Sequence, residues 1–137
     1  MILSEAKDGQ KLLKLLHEGF GYLIRWQQKR QLDQKENIAE RARQYINLNF
    51  EDPMIGLYSI SDMLGVSNTY LSTTFKKKYG IAQYINSLRI EKAKRLIVNT
   101  DENIKEIALS VGFSSDAAFI RVFKQFENTT PGRYKKK

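Results

Sequence analysis

Residues 107–128 read IALSVGFSSDAAFIRVFKQFEN. A short segment with helical apolar spacing leads to Gly112 and Ser115, and Phe119 and Phe123 follow four residues apart. Glycine favours the left-handed backbone that ends a helix, and serine is a preferred N-cap of the next helix. Side chains four residues apart lie on one helix face. The stretch therefore predicts a short helix, a tight turn and a second helix with one buried face.

The same arrangement occurs earlier, in residues 60–80, which read ISDMLGVSNTYLSTTFKKKYG. The two stretches align once a single residue is inserted in the second turn. The matched pairs are Ile60 with Ile107, Gly65 with Gly112, Val66 with Phe113, Leu71 with Phe119, Phe75 with Phe123 and Lys76 with Lys124. Two helices joined by a short turn that contains glycine form a helix-turn-helix. The internal repeat therefore predicts two such units.

Apolar residues fall at helical spacing along the whole chain, and no stretch alternates as a half-buried strand would. This pattern predicts an all-α fold of two helix-turn-helix subdomains. We expect the first unit over about 57–79, a long linking helix over about 83–99 and the second unit over about 104–126. The expected division is a helical linker segment at 1–36 and a two-unit domain at 37–137.

Two pairs of polar residues have local structural interpretations. Arg89 and Glu91 lie on the linking helix, where we interpret them as a structural ion pair. Asn103 and Glu106 have the spacing of a capping box at the start of the second unit.

The chain is basic, with 23 Lys and Arg against 15 Asp and Glu in 137 residues, a net charge of +8 and a pI near 9.7. Such an excess favours a polyanionic partner, either nucleic acid or an anionic membrane surface. The chain has no cysteine, which excludes disulfides and thiolate zinc sites. No apolar run approaches a membrane span, and the opening MILSEAKDGQ lacks the order of a signal peptide. We therefore expect a cytoplasmic protein.

Other function classes fit the sequence less well. His17 is the only histidine, and no carboxylate pair lies in a phosphate-loop, metal or triad context. The sequence therefore predicts no enzyme, no cofactor and no metal site. A membrane-surface module would collect its basic residues opposite one broad apolar face, which this chain does not do. A helical bundle that binds only protein remains an alternative, and it would show neither DNA affinity nor salt dependence.

From about Ile38 to its end, the chain resembles the DNA-binding domain of AraC/XylS-type bacterial transcription regulators. The motifs that carry the resemblance are LGVSNTYLSTTFKKKYG, YINSLRIEKAKRLIVNTDENIKEIALSVGFSS and AAFIRVFKQFENTTPGRY. The ending FIRVFK followed by TPGRY is similar to the large Gram-positive-type members, which carry a membrane-bound sensor upstream. Response-regulator members with a receiver domain are an open alternative.

The resemblance implies sequence-specific binding of double-stranded DNA in transcription regulation, with activation the commoner output and RNA polymerase as a partner. Each recognition helix would enter a major groove on one face of the duplex. Successive grooves lie ~34 Å apart, so the linking helix would set the spacing of two half-sites. If the chain is a fragment, a sensor or receiver domain precedes it, and the upstream region is a candidate membrane tether.

The outward residues of the second helix in each unit are the candidate base contacts. Arg121 is the leading candidate, because arginine reaches guanine O6 and N7 with two hydrogen bonds. The other candidates are Thr69, Ser72, Thr73, Ala117 and Ile120. All of them except Ser72 offer apolar contacts to thymine methyl groups. Basic side chains and exposed N–H groups at helix starts are candidate phosphate contacts. These are Asn68, Lys76, Lys77, Asn103, Ser115, Lys124 and Arg133.

The chain departs from the family pattern at four places, one of which is the segment DAAF, which lacks the usual aromatic residue before Phe119. Ser61 stands where a small apolar alanine is usual, and we expect it to loosen the first unit. Asn128 replaces a frequent glycine, and asparagine tolerates the left-handed conformation. The first recognition helix has no arginine, which weakens the expected base specificity of that unit.

The N-terminal block has a heptad-like pattern at Leu13, Leu16, Phe20 and Leu23. Fewer than two heptads are too few to establish a coiled coil. A homodimer through residues 1–36 and a face that docks on the second domain are the alternatives.

Overall fold

The computed structural model describes residues 25–30, 37–75 and 80–135. The chain separates into two compact parts, Met1–Asn37 and Ile38–Lys137.

Within Met1–Asn37, residues 25–30 are helical and all exposed. The Arg30 guanidinium lies 5.4 Å from the centroid of the Trp26 ring, one helical turn away. The predicted heptad-like positions lie outside the described residues.

The described residues from 37 onward form seven helices and contain no strand. The helices are α1 (residues 37–49), α2 (Leu57–Leu64), α3 (Asn68–Phe75), α4 (Ile81–Asn99), α5 (Ile104–Ser110), α6 (Asp116–Glu127) and α7 (Pro131–Lys135). The predicted all-α fold is confirmed. Among the helices described, none is both long enough and apolar enough to cross a bilayer.

Each helix-turn-helix has a hydrophobic core of its own, and α4 contributes to both cores. The first half of α4 places Ile81 and Ile85 in a core formed with α1, α2 and α3. The second half places Ile90, Ala93 and Ile97 in a core formed with α5 and α6. The linking helix therefore belongs to both subdomains, and its middle is the place where one core gives way to the other.

The turns of the two units have matching geometry. Gly65 and Gly112 have φ of 70° and 112°, a region that favours glycine because a Cβ atom would be strained there. In each turn, the N–H of the residue after the glycine donates to the carbonyl five residues earlier, at 3.0 Å in the first unit and 2.9 Å in the second. These bonds run from Val66 to Ser61 and from Phe113 to Ala108. The internal repeat is therefore a repeat in structure.

Most predicted caps are present. The Ser67 hydroxyl accepts from the N–H of the residue three positions later at 3.1 Å, and Ser115 does the same at 3.1 Å. Asn103 and Glu106 form the predicted capping box of α5. Asn128 ends α6 in the left-handed conformation, with φ of 59°.

Helix α7 was not predicted, although its start carries a recognisable signal. Proline is favoured at the first helical position, which Pro131 occupies, and the Thr130 hydroxyl accepts from the N–H of Arg133 at 3.3 Å. The Tyr134 ring packs edge-on against Phe123, with centroids 5.5 Å apart. The C-terminal segment therefore closes the second core.

The predicted ion pair between Arg89 and Glu91 is wrong. Glu91 accepts from Lys94 at 3.2 Å, one turn along α4. Arg89 is buried and donates to the carbonyl oxygens of Phe50 and Asp52. Residues two apart point to different sides of a helix, so the two side chains have different neighbours.

Candidate nucleic-acid interface

The outer faces of α3 and α6 carry the candidate base contacts. The inner faces of these helices are buried through Leu71 and Phe75 in α3 and through Phe119 and Phe123 in α6. All six candidates are exposed: Thr69, Ser72, Thr73, Ala117, Ile120 and Arg121. The structure therefore brings three of them together on each recognition helix.

Equivalent surface positions in the two units differ in chemistry. The alignment of the repeats pairs Thr69 with Ala117, Ser72 with Ile120 and Thr73 with Arg121. The outer face of α3 is therefore neutral and hydroxyl-rich, whereas that of α6 combines apolar side chains with a guanidinium. Hydroxyl groups pair with any base, but a guanidinium distinguishes guanine. The two faces are suited to different kinds of base contact.

Arg121 makes no hydrogen bond or salt bridge with the residues that the structure describes. Its side chain is exposed in the middle of α6. None of the five N–H donors of the guanidinium is therefore used by that part of the chain.

Thr73, the counterpart of Arg121, uses its hydroxyl within α3. The hydroxyl donates to the backbone carbonyl of Thr69 at 2.8 Å. What Thr73 presents outward is its methyl group together with the acceptor side of its oxygen. Thr73 is thus better suited to apolar contact than to donating a hydrogen bond.

The basic candidates for phosphate contact divide into two sets. Lys124 and Arg133 are exposed, on α6 and α7 respectively. Lys76 and Lys77 lie outside the described residues.

Local side chains occupy some of the helix-start groups that were predicted to bind phosphate. The Asn103 N–H donates to the Glu106 carboxylate at 3.3 Å. The Ser115 hydroxyl accepts from the Ala118 N–H at 3.1 Å. A phosphate at either position would have to displace or share these internal partners.

Asn68 has a partner that the sequence did not indicate. The buried Ser61 hydroxyl lies in hydrogen-bonding contact with the Asn68 side chain and 3.0 Å from the carbonyl oxygen of Tyr58. Ser61 belongs to α2 and Asn68 is the first residue of α3. Ser61 thus joins the two helices of the first unit, in place of the looser packing that we expected.

The comparisons with known proteins match this architecture. A family model described as a helix-turn-helix domain, of the AraC type, matches residues 60–137. The chain belongs to the AraC-type helix-turn-helix family. The resemblance stated from the sequence is thereby confirmed.

An uncharacterised HTH-type transcriptional regulator of Staphylococcus aureus (strain COL) is 34% identical over 135 residues, covering 97% of this chain but 18% of that relative. The AraC-type chain thus spans under a fifth of the length of the curated relatives it matches.

Solved structures share the AraC-type fold. The C-terminal domain of AraT, a response regulator from Geobacillus stearothermophilus, is 34% identical with a TM-score of 0.70, over 72% of this chain and 84% of that one. The DNA-binding domain of AdpA, a global transcriptional factor solved in complex with a target DNA, has a TM-score of 0.62 over 74% of this chain and 89% of that one. At 17% identity, the likeness to AdpA shows a common fold and nothing more.

Proposed function

We propose that this AraC-type chain binds double-stranded DNA sequence-specifically, with α3 and α6 in successive major grooves, as the DNA-binding part of a bacterial transcription regulator. One observation carries the proposal: two matching helix-turn-helix units each expose the outer face of their second helix, in a chain of net charge +8. Membership of a family of transcription regulators supports it.

Within this proposal, the two recognition helices have different roles. Arg121 supplies the main base discrimination, through paired hydrogen bonds to a guanine. Ala117, Ile120, Thr69 and Thr73 contact thymine methyl groups, and Ser72 hydrogen-bonds a base edge. The second unit then contributes most of the sequence preference, because the exposed side chains of α3 are all uncharged.

In this proposal, basic side chains hold the DNA backbone. Lys124 lies on α6 and Arg133 on α7, and Lys76 and Lys77 follow α3 in the sequence. Each such contact displaces condensed counterions, so it adds affinity for every duplex and makes binding depend on salt. The helix-start candidates Asn68, Asn103 and Ser115 would add neutral phosphate contacts.

The remaining expectations concern the whole regulator. Since the chain spans under a fifth of the length of its curated relatives, we propose that a sensor or receiver region precedes it and that the signal acts there. The linker at 1–36 would then connect that region to the DNA-binding domain at 37–137 and supply any homodimer contact. The same proposal includes contact with RNA polymerase and activation of transcription as the output. It also includes a cytoplasmic location or a membrane tether, and the lack of catalysis and of a cofactor.

Selection of bound sequences from random duplexes, at a stated salt concentration, tests the function. We expect one enriched bipartite sequence, bound roughly 10³-fold more tightly than a shuffled duplex. The logarithm of affinity should fall linearly with the logarithm of salt. No enrichment, together with equal affinity for anionic liposomes, would contradict the proposal and favour a membrane-surface module.

A further inference from the structure

Arg89 interrupts an apolar row on α4. Residues four apart share a helix face, and the row through Ile81, Ile85, Ala93 and Ile97 has Arg89 at its centre. The first two apolar residues belong to the core of the first unit and the last two to the core of the second. A charged side chain therefore lies where the two cores meet.

Both ends of the Arg89 fork bond to the loop after α1. The Nε–H donates to the carbonyl oxygen of Phe50 at 2.7 Å, and a terminal nitrogen donates to that of Asp52 at 2.9 Å. The Phe50 side chain packs against the first core. The planar guanidinium fixes the directions of its N–H donors, so it suits two carbonyls of one bend. One side chain thus fixes the loop of the first unit to the middle of α4.

The same guanidinium touches the second unit. Its central carbon lies 5.4 Å from the centroid of the Phe113 ring, which is part of the second core. Phe113 follows Gly112 in the turn between α5 and α6. Arg89 therefore contacts residues of both units at once.

Gly112 shows how closely the second turn approaches this place. A Cβ atom at Gly112 would lie 2.7 Å from the Phe50 carbonyl oxygen, 2.8 Å from Arg89 Nε and 3.0 Å from the Glu51 carbonyl oxygen. A Cβ atom at Gly65, the equivalent residue of the first unit, would meet nothing within 4 Å. The turn of the second unit is therefore also a docking surface, a role that its counterpart lacks. We call Phe50, Asp52, Arg89, Gly112 and Phe113 the Arg89 junction.

The junction is a costly arrangement if stability is its only purpose. Burial lowers the pKa of the Arg89 guanidinium, while the nearby Asp52 carboxylate acts in the opposite direction. A buried charge is often no more stabilising than an apolar group of similar size, but its directional bonds allow one geometry only. No buried side-chain nitrogen or oxygen in the described residues lacks a hydrogen-bond partner. These properties suit a device that sets an orientation.

We propose that Arg89 is a positioning residue that fixes the orientation of α3 relative to α6 and thereby sets the base-pair spacing between the two half-sites. The inference rests on the proposed function, because spacing has meaning only if both helices read one duplex. Lys92, one turn beyond Arg89, reinforces the junction by pairing with Glu51.

A panel of duplexes tests the role of Arg89 in spacing. The selected sequence is compared with versions in which the half-sites are one base pair closer or further apart, and with single half-sites. One base pair turns a half-site by about 35° and moves it by about 3.4 Å, so the wild-type chain should lose about tenfold in affinity. Arg89→Met should bind the duplex of original spacing with about tenfold lower affinity. Its affinities for the three spacings should differ by less than about threefold. Its affinity for single half-sites should stay within about twofold of the wild type.

Two further variants separate positioning from charge and stability. Arg89→Lys keeps the charge but has no fork, so it should give an intermediate spacing profile. Arg95→Met removes an exposed arginine from the same helix and should keep the wild-type profile. A wild-type spacing profile in both Arg89 variants would overturn the proposal, as would an equal loss on half-sites and full sites.

A measurement without DNA tests the same orientation if the proposed function fails. The chain has no cysteine, so Asp62→Cys and Gln125→Cys place spin labels on exposed positions of α2 and α6. Double electron–electron resonance should give one narrow distance distribution with Arg89 and a distribution at least twice as broad with Arg89→Lys or Arg89→Met. Unchanged widths would overturn the positioning role whether or not the chain binds DNA. A chain that selects no duplex, with widths that do change, would count against the proposed function alone.

Discussion

Lys94 of α4 and Glu127 of α6 form an ion pair, with Nζ and Oε1 3.0 Å apart, and both side chains are three-quarters covered. Lys94 also reaches Glu91 on its own helix at 3.2 Å. The hydrogen bond to Glu127 raises the pKa of Lys94, with burial opposing and Glu91 adding to the rise. The pair fastens the last turn of the second recognition helix to the linking helix.

The raised pKa of Lys94 predicts how its contribution to stability depends on pH. A lysine whose pKa is raised on folding stabilises the fold fully below the ordinary lysine value of about 10.4, and this contribution disappears as the pH rises through the folded pKa. Lys94→Gln should therefore lower the free energy of unfolding by about 0.5 kcal/mol at pH 8, and the difference should shrink above about pH 10.5. Urea denaturation at both pH values measures it. Lys94→Arg, which stays charged, should match the wild type at pH 8 and be more stable than the wild type above about pH 10.5.

The bond between Ser61 and Asn68 predicts a measurable coupling between α2 and α3. Ser61→Ala should lower the free energy of unfolding by about 1 kcal/mol, because a buried hydrogen bond is lost. The single hydroxyl proton of Ser61 is shared between the Asn68 side chain and the Tyr58 carbonyl, so a double-mutant cycle with Asn68→Ala is needed to isolate the Ser61–Asn68 pair. We expect a coupling of about 0.5–1.5 kcal/mol, and additive effects would show that the contact does not stabilise the first unit.

The two turn glycines should differ in their tolerance of a side chain. Gly65→Ala meets only the strain of the left-handed conformation, about 1–2 kcal/mol. Gly112→Ala adds a collision with two backbone carbonyls, so we expect a loss of at least about 3 kcal/mol. Chemical denaturation of the two variants side by side makes the comparison. Equal losses would mean that the junction gives way easily.

Arg121 and Lys124 should respond differently to replacement by alanine. Arg121→Ala should cost about 1–3 kcal/mol on the selected duplex and relax the preference at one base pair. Lys124→Ala should weaken binding to all duplexes alike and reduce the salt slope by about one unit. Titrations of selected and shuffled duplexes at several salt concentrations measure both effects. A uniform loss for Arg121→Ala would assign that residue to the backbone.

Local patterns predicted much of this structure from the sequence. The repeat identified the buried pairs Leu71 with Phe119 and Phe75 with Phe123, because helical spacing determines which side chains share a face. The same periodicity identified the outward positions, all of which are exposed. Caps such as Ser115 follow from short-range hydrogen bonds that need only a few neighbouring residues.

Contacts between distant segments were not predictable in the same way. The partners of Arg89 are backbone carbonyls 37 and 39 residues away, and any residue can supply a carbonyl. No side-chain pattern therefore marks them. Gly112 carried a signal for its turn but none for the close approach of the loop after α1. Helix α7 is a different case: Thr130 and Pro131 indicate its start, but five residues are too few to show a helical repeat of apolar positions.

The exposed positions of α3 and α6 share no residue with either core or with the Arg89 junction. Substitutions on those faces leave packing and inter-subdomain geometry untouched, so target preference is free to diverge among descendants of this chain without a folding penalty. By our proposal, the base-pair spacing of the two half-sites lacks this freedom: losing Arg89 only relaxes it, and a new fixed spacing would require coordinated change in the three segments that meet at the Arg89 junction.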